Sequence, residues 1–165
     1  PGRRNIAAAS AAATPLRRAR RRRLLPRLLR TTAGKQPMTG NNIMKKHIMV
    51  VDDSKTIRNL VAFVLKGEGF RVSTAEDGLD AIEKLYGLDP VDLIVSDVNM
   101  PRMDGFTFIK TIRAQDAYKD IPIIVLSTEG QEKDIQTGMS LGANLYMVKP
   151  AQPEKMVRNI KMLLG

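Results

Sequence analysis

At 165 residues and 43% hydrophobic content, the chain is long enough for one domain with a full core and too short for two of ordinary size. The lack of cysteine excludes a disulfide framework and a thiolate metal site, so a reducing cytoplasmic location is expected, and no stretch approaches the roughly 20 apolar residues of a membrane-spanning helix. The formal charge of +10 is unevenly placed: residues 1–46 hold thirteen Lys or Arg and no acid, whereas residues 47–165 hold fourteen basic against seventeen acidic residues.

In the leader, Arg17, Arg18, Arg20, Arg21, Arg22, Arg23, Arg27 and Arg30 crowd among Ala, Pro and Leu with no apolar period and no acidic partner, a composition that favours disorder. Residues 1–43 are expected to be a disordered basic extension outside the working protein, with Met38 and Met44 each placed as a start just before the first strand. A targeting peptide and a basic arm for nucleic acid or an anionic membrane are the competing readings. The leader has no aromatic residue, which counts against single-strand binding, and neither nucleic acid nor membrane is expected as a partner.

From His47 onward, short β-rich runs alternate with longer segments of helical period five times over. His47 to Val51 is the first strand. Ile57, Leu60, Val61, Val64 and Leu65 then repeat at helical spacing, with Ser54 as N-cap and Gly67 and Gly69 as the stop. Phe70 to Thr74 is the second strand, its polar residues suggesting a sheet edge. Leu79, Ala81, Ile82 and Leu85 mark a helix ending near Gly87 and Pro90. Leu93 to Ser96 is a continuously apolar strand, as expected when both sheet faces are covered. Phe106, Ile109 and Ile112 carry the third helix, Ile121 to Leu126 the fourth strand, and Gln131 to Leu141 a weaker helix. Leu145 to Val148 is the fifth strand, and Met156, Val157, Ile160, Leu163 and Leu164 form the last apolar stripe after Pro153 in a helix's first turn.

Strict alternation with right-handed crossovers predicts an α/β fold, a doubly wound five-stranded parallel sheet with its ligand crevice at the carboxyl ends of the strands. Asp52 and Asp53 close the first strand, Asp97 the third, Ser127 the fourth and Lys149 the fifth. Three carboxylates at one sheet edge repel one another unless a hard cation sits between them, so the cluster reads as a Mg²⁺ or Ca²⁺ site. Cation, carboxylate, hydroxyl and ammonium together suit a phosphoryl group. The plainer roles are N-capping by Asp52, Asp53 or Ser54, a turn and helix start at Asp104-Gly105, a half-buried strand aromatic at Tyr146, and core gap-filling by the nine methionines. His47, the single histidine, is expected to be structural, which excludes a His-paired nucleophile and a multi-histidine metal site.

Four segments carry a resemblance. Val50-Val51-Asp52-Asp53-Ser54, Ser96-Asp97 through Asp104-Gly105, Leu126-Ser127-Thr128-Glu129 and Val148-Lys149-Pro150 are similar, in order and separation, to the signature segments of response regulator receiver domains. The likeness covers residues 47–165, so the domain is placed at 44–165, and with no output domain expected after the fifth helix it most resembles the stand-alone chemotaxis CheY-like type. The resemblance implies the strand order 2-1-3-4-5. It also implies that Asp97 is the phosphoacceptor, taking a phosphoryl group from a histidine kinase or a small phosphodonor. Asp53, Asp97 and the Asn99 carbonyl would hold Mg²⁺ directly and Asp52 through water, with Lys149 neutralising charge and its bond to Pro150 in the cis form.

Further roles follow from the same resemblance. Ser127 and Tyr146 are the switch pair: the Ser127 hydroxyl moves to the phosphoryl group, Tyr146 turns inward, and the face built from the fourth helix, fifth strand and fifth helix changes shape for a protein target. Asn99 and Glu129 flank the attacking water and imply comparatively rapid self-dephosphorylation. Four departures from the family pattern stand out: Ser127 for the commoner threonine, Thr128 for a small residue, with bulk expected to hinder Tyr146, Ala151 for an aromatic, and Glu132 adding charge to the fourth helix. The expected function is a monomeric phosphorylation-controlled interaction module, in chemotaxis or another phosphorelay or as a phosphate sink, and not a turnover enzyme. An aspartate-nucleophile phosphatase would need Asp-x-Asp at a strand end, absent at Asp52 and Asp97, and a fixed scaffold would not need the intact site.

Overall fold

The computed structural model describes residues 45–87 and 89–165; the expectations for the leader, including Met38 and Met44, lie outside them. The chain order is β1 (His47–Val51), α1 (Lys55–Gly67), β2 (Arg71–Ala75), α2 (Gly78–Gly87), β3 (Leu93–Ser96), α3 (Gly105–Arg113), β4 (Ile123–Ser127), α4 (Glu132–Ser140), β5 (Leu145–Val148) and α5 (Pro153–Leu164). The strands form one parallel sheet in the order β2-β1-β3-β4-β5, as the resemblance implied. Among the described residues no helix is long and apolar enough to cross a membrane.

Alternation along β1 sorts the core. Met49 and Val51 face one side with Phe108, Ile109 and Ile112 of α3 and Ala81 and Leu85 of α2. Ile48 and Val50 face the other, with Val61 and Leu65 of α1 and Met156, Val157 and Ile160 of α5. Every residue of β1, β3 and β4 is buried, which is why those strands read as continuous apolar runs. The β5 edge is looser: only Met147 of that strand and Gly138 of α4 are buried. His47 is buried at the far end of the sheet, its ring nitrogens 3.2 Å from the Pro90 carbonyl and 3.1 Å from Ser73 Oγ, a structural placement.

Two strands begin later than their composition suggested. Phe70 lies in the turn after α1, its N–H bonding back to the Leu65 carbonyl at 3.1 Å, and β2 runs one residue further so that Ala75 pairs with Val51. Pro122 has no N–H for a ladder, and Ile121 closes a turn onto the Tyr118 carbonyl, so β4 starts at Ile123 and runs on to Ser127, opposite Val148. The α4 helix is one residue shorter at each end than expected, with Gln131 as an N-cap that makes no side-chain bond.

The register decides where the site lies. Val51 pairs with Ser96, Ser96 with Val125 and Ser127 with Val148, so the residues that follow each strand emerge together at one edge.

Candidate functional site

At that edge one carboxylate oxygen from each of Asp52, Asp53 and Asp97 lies within 4.8 Å of the others. Main-chain bonds hold the two loops in place: Asp97 N–H donates to the Val51 carbonyl at 2.8 Å, and Asp52 N–H to the Ala75 carbonyl at 3.1 Å. Asp52 and Asp97 are buried, whereas Asp53 is exposed at the mouth. Ser54 caps α1, as its position suggested, accepting from Ile57 N–H, while its own N–H donates to Asp52 Oδ1 at 2.9 Å.

Lys149 reaches into the cluster from the end of β5. Its Nζ lies 2.6 Å from Asp52 Oδ2 and 3.2 Å from Asp97 Oδ2, and the Lys149–Pro150 bond is cis. Burial drives the Asp97 carboxyl above its ordinary pKa, against the opposing pull of the Lys149 charge and the Val98 N–H. Burial also disfavours the Lys149 ammonium, but the Asp52 hydrogen bond and the charges of Asp97 and Asp52 overcome it and leave that pKa raised. Three hard oxygen donors facing one ammonium leave net negative charge, and an all-carboxylate set open to water at Asp53 fits Mg²⁺ chemically.

The remaining predicted residues are linked by hydrogen bonds through Glu129. Asn99 Nδ2 donates to Glu129 Oε1 at 3.2 Å. Ser127 is fully buried, and its hydroxyl accepts the Glu129 N–H at 3.1 Å. Tyr146 is half-buried with its hydroxyl donating to the Glu129 carbonyl at 2.7 Å, the inward arrangement. Burial raises the Tyr146 phenol pKa, and the neighbouring Ser127 hydroxyl partly offsets it. Thr128 is exposed and lines a cavity beside Asp97.

The sequence matches the response regulator receiver domain over residues 48–161. The chain belongs to that family. This receiver is 37% identical over 119 residues to the chemotaxis protein CheY1 of Helicobacter pylori strain J99, an alignment covering 72% of this chain and 96% of that protein. It is also 37% identical over 121 residues to the phosphate regulon transcriptional regulatory protein PhoB of Escherichia coli K12, covering 73% of this chain and 52% of PhoB. Among solved structures it is similar to the chemotaxis response regulator CheY4 of Vibrio cholerae, with a TM-score of 0.68 and 40% identity over 73% of this chain and 99% of that one.

Three supports of the receiver site were not legible in the sequence. Arg58, one turn into α1, donates to the carbonyls of Asp52 at 2.6 Å and Asp53 at 2.9 Å, fixing the acidic turn from beneath. Gly105 sits against the end of β3: a Cβ there would lie 2.1 Å from the Asp97 carbonyl oxygen. Asp104 beside it is the N-cap of α3, the plain role expected for this pair, but Gly105 holds the receiver's α3 close behind Asp97. Arg102 takes a left-handed φ of 55° and pairs with the buried Asp77 and with Glu76, tying the loop after β3 to the start of α2. Desolvation raises the Asp77 pKa, but the Asp80 N–H and Arg102 together outweigh it, and the carboxyl ends below its ordinary value. A composition signal exists only for Gly105, as the Gly of an Asp-Gly pair; Arg58 bonds main-chain carbonyls five and six residues back, which no side-chain pattern marks, and Arg102 reaches a segment 25 residues away.

Proposed function

We propose that this receiver takes a phosphoryl group on Asp97 from a histidine kinase and, through Ser127 and Tyr146, changes the α4-β5-α5 face for a protein target, acting as a CheY-like signalling module and not as a turnover enzyme. The observation that carries the reading is the meeting of a buried Asp97 with two further carboxylates and Lys149 at one strand edge. An Asp97 oxygen attacks phosphorus in line as the donor's oxygen or nitrogen departs, and Lys149 is placed to pair with a phosphoryl oxygen. Asp53, Asp97 and the Asn99 carbonyl would hold Mg²⁺, with Asp52 through water, and when bound it supplies neutralising charge for the phosphoryl oxygens.

Asn99 and Glu129, hydrogen-bonded to each other at the mouth, are the residues assigned to set the lifetime of the aspartyl phosphate, which we expect to be short. The switch starts from the Ser127–Glu129 bond: once Ser127 turns to the phosphoryl group it vacates space, and the Tyr146 ring, already bonded to the Glu129 carbonyl, is held in its inward position. A chemotaxis role and a cytoplasmic location are in keeping with the relatives. The test is incubation with Mg²⁺ and acetyl phosphate, following the mass of the intact chain. Stoichiometric modification that is lost in Asp97→Asn supports the reading. Repeated turnover of an added phosphoester, or modification that survives the substitution, contradicts it.

A further inference from the structure

We propose that the cleft between α1 and α5 seats the organic body of a small acyl phosphate, so that Asp97 is charged directly by donors with an aromatic acyl group in preference to acetyl phosphate. The inference rests on the assignment of Asp97 as phosphoacceptor. A cavity of about 590 Å³ opens on the acidic cluster, with Asp97 and Lys149 at its charged end. Asp52, Asp53, Ser54, Asn99 and Thr128 also line it, but most of its wall is apolar: Ile57 and Val61 from α1, Leu126 from β4, and Ala151 and Met156 around the start of α5. A phosphoryl group needs only the charged end. Volumes of roughly 300–1,000 Å³ with apolar walls and a few convergent polar groups are those of small-molecule sites.

One small side chain borders the cleft. Ala151, half-buried against the α1–α5 core, ends at Cβ where the chain turns from Pro150 into α5. Continuity of the apolar wall with the lysine that would hold a phosphate selects an occupant that is anionic at one end and apolar at the other, and an aryl acyl phosphate is both. In the reaction an Asp97 carboxylate oxygen forms a bond to phosphorus and the bond between phosphorus and the acyl oxygen breaks. The bonding pair leaves with the carboxylate product, the electrons balance, and no proton is required. Water displaced from the apolar wall favours the aryl donor over acetyl phosphate.

The test compares benzoyl phosphate with acetyl phosphate, Mg²⁺ present, in the wild-type chain and in Ala151→Phe, which fills the cleft. The ratio of the two phosphorylation rates is expected to be about tenfold larger in the wild type, with the acetyl phosphate rate changing less than twofold. Leu60→Gln, on the exposed rim of the cavity and so of little consequence for folding, should lower the ratio in the same direction. A readout without transfer is binding of phenylphosphonate by NMR: it should perturb Ala151 and Met156 in the wild type and bind more weakly in Ala151→Phe, with methylphosphonate unaffected. An equal ratio in all three proteins, or perturbation confined to the charged end, overturns the inference while leaving Asp97 as acceptor. Failure of both donors overturns both.

Discussion

Tyr146 lies so close to Gly138 that a Cβ added to the glycine would stand 3.1 Å from Cδ2 of the ring. Gly138 is the one buried residue of α4, and Tyr146 is the strand residue it faces. A methyl group on the neighbouring helix would press on the ring in this position. Gly138→Ala should turn Tyr146 outward while leaving stability within about 1 kcal/mol, because alanine in a helix recovers about 0.8–1 kcal/mol over glycine. The sign of the titration follows: burial raises the Tyr146 phenol, so the substitution lowers its pKa toward the ordinary value. NMR titration of the Tyr146 ring carbons checks this, and an unchanged midpoint would refute it.

Lys149 is the single ammonium among three acids, and its side chain is 15% exposed. Lys149→Met leaves the buried Asp52 and Asp97 without their counter-charge and should cost about 3–5 kcal/mol in metal-free buffer. Millimolar Mg²⁺ should stabilise this variant more than the wild type, since a divalent ion replaces the lost charge. Urea unfolding in EDTA and in Mg²⁺ measures both numbers. Equal stabilisation of the two proteins by Mg²⁺ would argue that the ion does not share the lysine's carboxylates.

The raised Asp97 pKa means that ionising this carboxylate opposes folding. Below the unfolded-state pKa both states are protonated and there is no penalty; it grows as pH rises through the window between the unfolded and folded values and is complete above the folded one. Asp97→Asn should therefore melt at a higher temperature than wild type at pH 7 without Mg²⁺, and the difference should shrink toward zero near the ordinary carboxylate pKa. Thermal scans across pH 3–7 test the trend, and a gain that is constant across that range would rule out the ionisation as its cause.

Gly105→Ala puts a methyl group 2.1 Å from the Asp97 carbonyl oxygen and 2.9 Å from Val98 Cα, both main-chain atoms that cannot yield without moving β3 or α3. A loss of about 3 kcal/mol is expected, at the upper end of overpacking costs, with at least a tenfold slower acetyl phosphate reaction on the proposed function, because Asp97 itself is displaced. Denaturation and initial-rate measurements should show both effects together. A stable protein with a normal rate would show that the contact carries no positioning role.

Much of this fold can be read along the chain because each strand is short, apolar and bounded by turn chemistry. Ser54 and Asp104 cap helices where their types and positions suggest, and Asp52, Asp53, Asp97, Ser127 and Lys149 each follow or end a β-rich run. The boundaries that shifted did so for tertiary reasons. Phe70 is taken by the turn after α1, and the length of β4 is set by pairing of Ser127 with Val148. The half-buried place of Tyr146 on its strand was legible in the sequence, but not the close approach of its ring to Gly138, a residue that in the sequence is only a weak point in a weak helix.

The sequence by itself determined the alternation of strands and helices, the apolar stripe of most helices, and the kinds of polar group placed at the strand ends. These are local matters of side-chain period, capping and turn preference. Tertiary structure alone decided which of those groups touch: Lys149 reaching Asp52 across 97 positions, Arg102 reaching Asp77, Gly105 backing Asp97, and the cleft left beside Ala151. Contacts of that kind depend on sheet register and on the volume of side chains brought together from distant segments, and no periodicity within one segment encodes them.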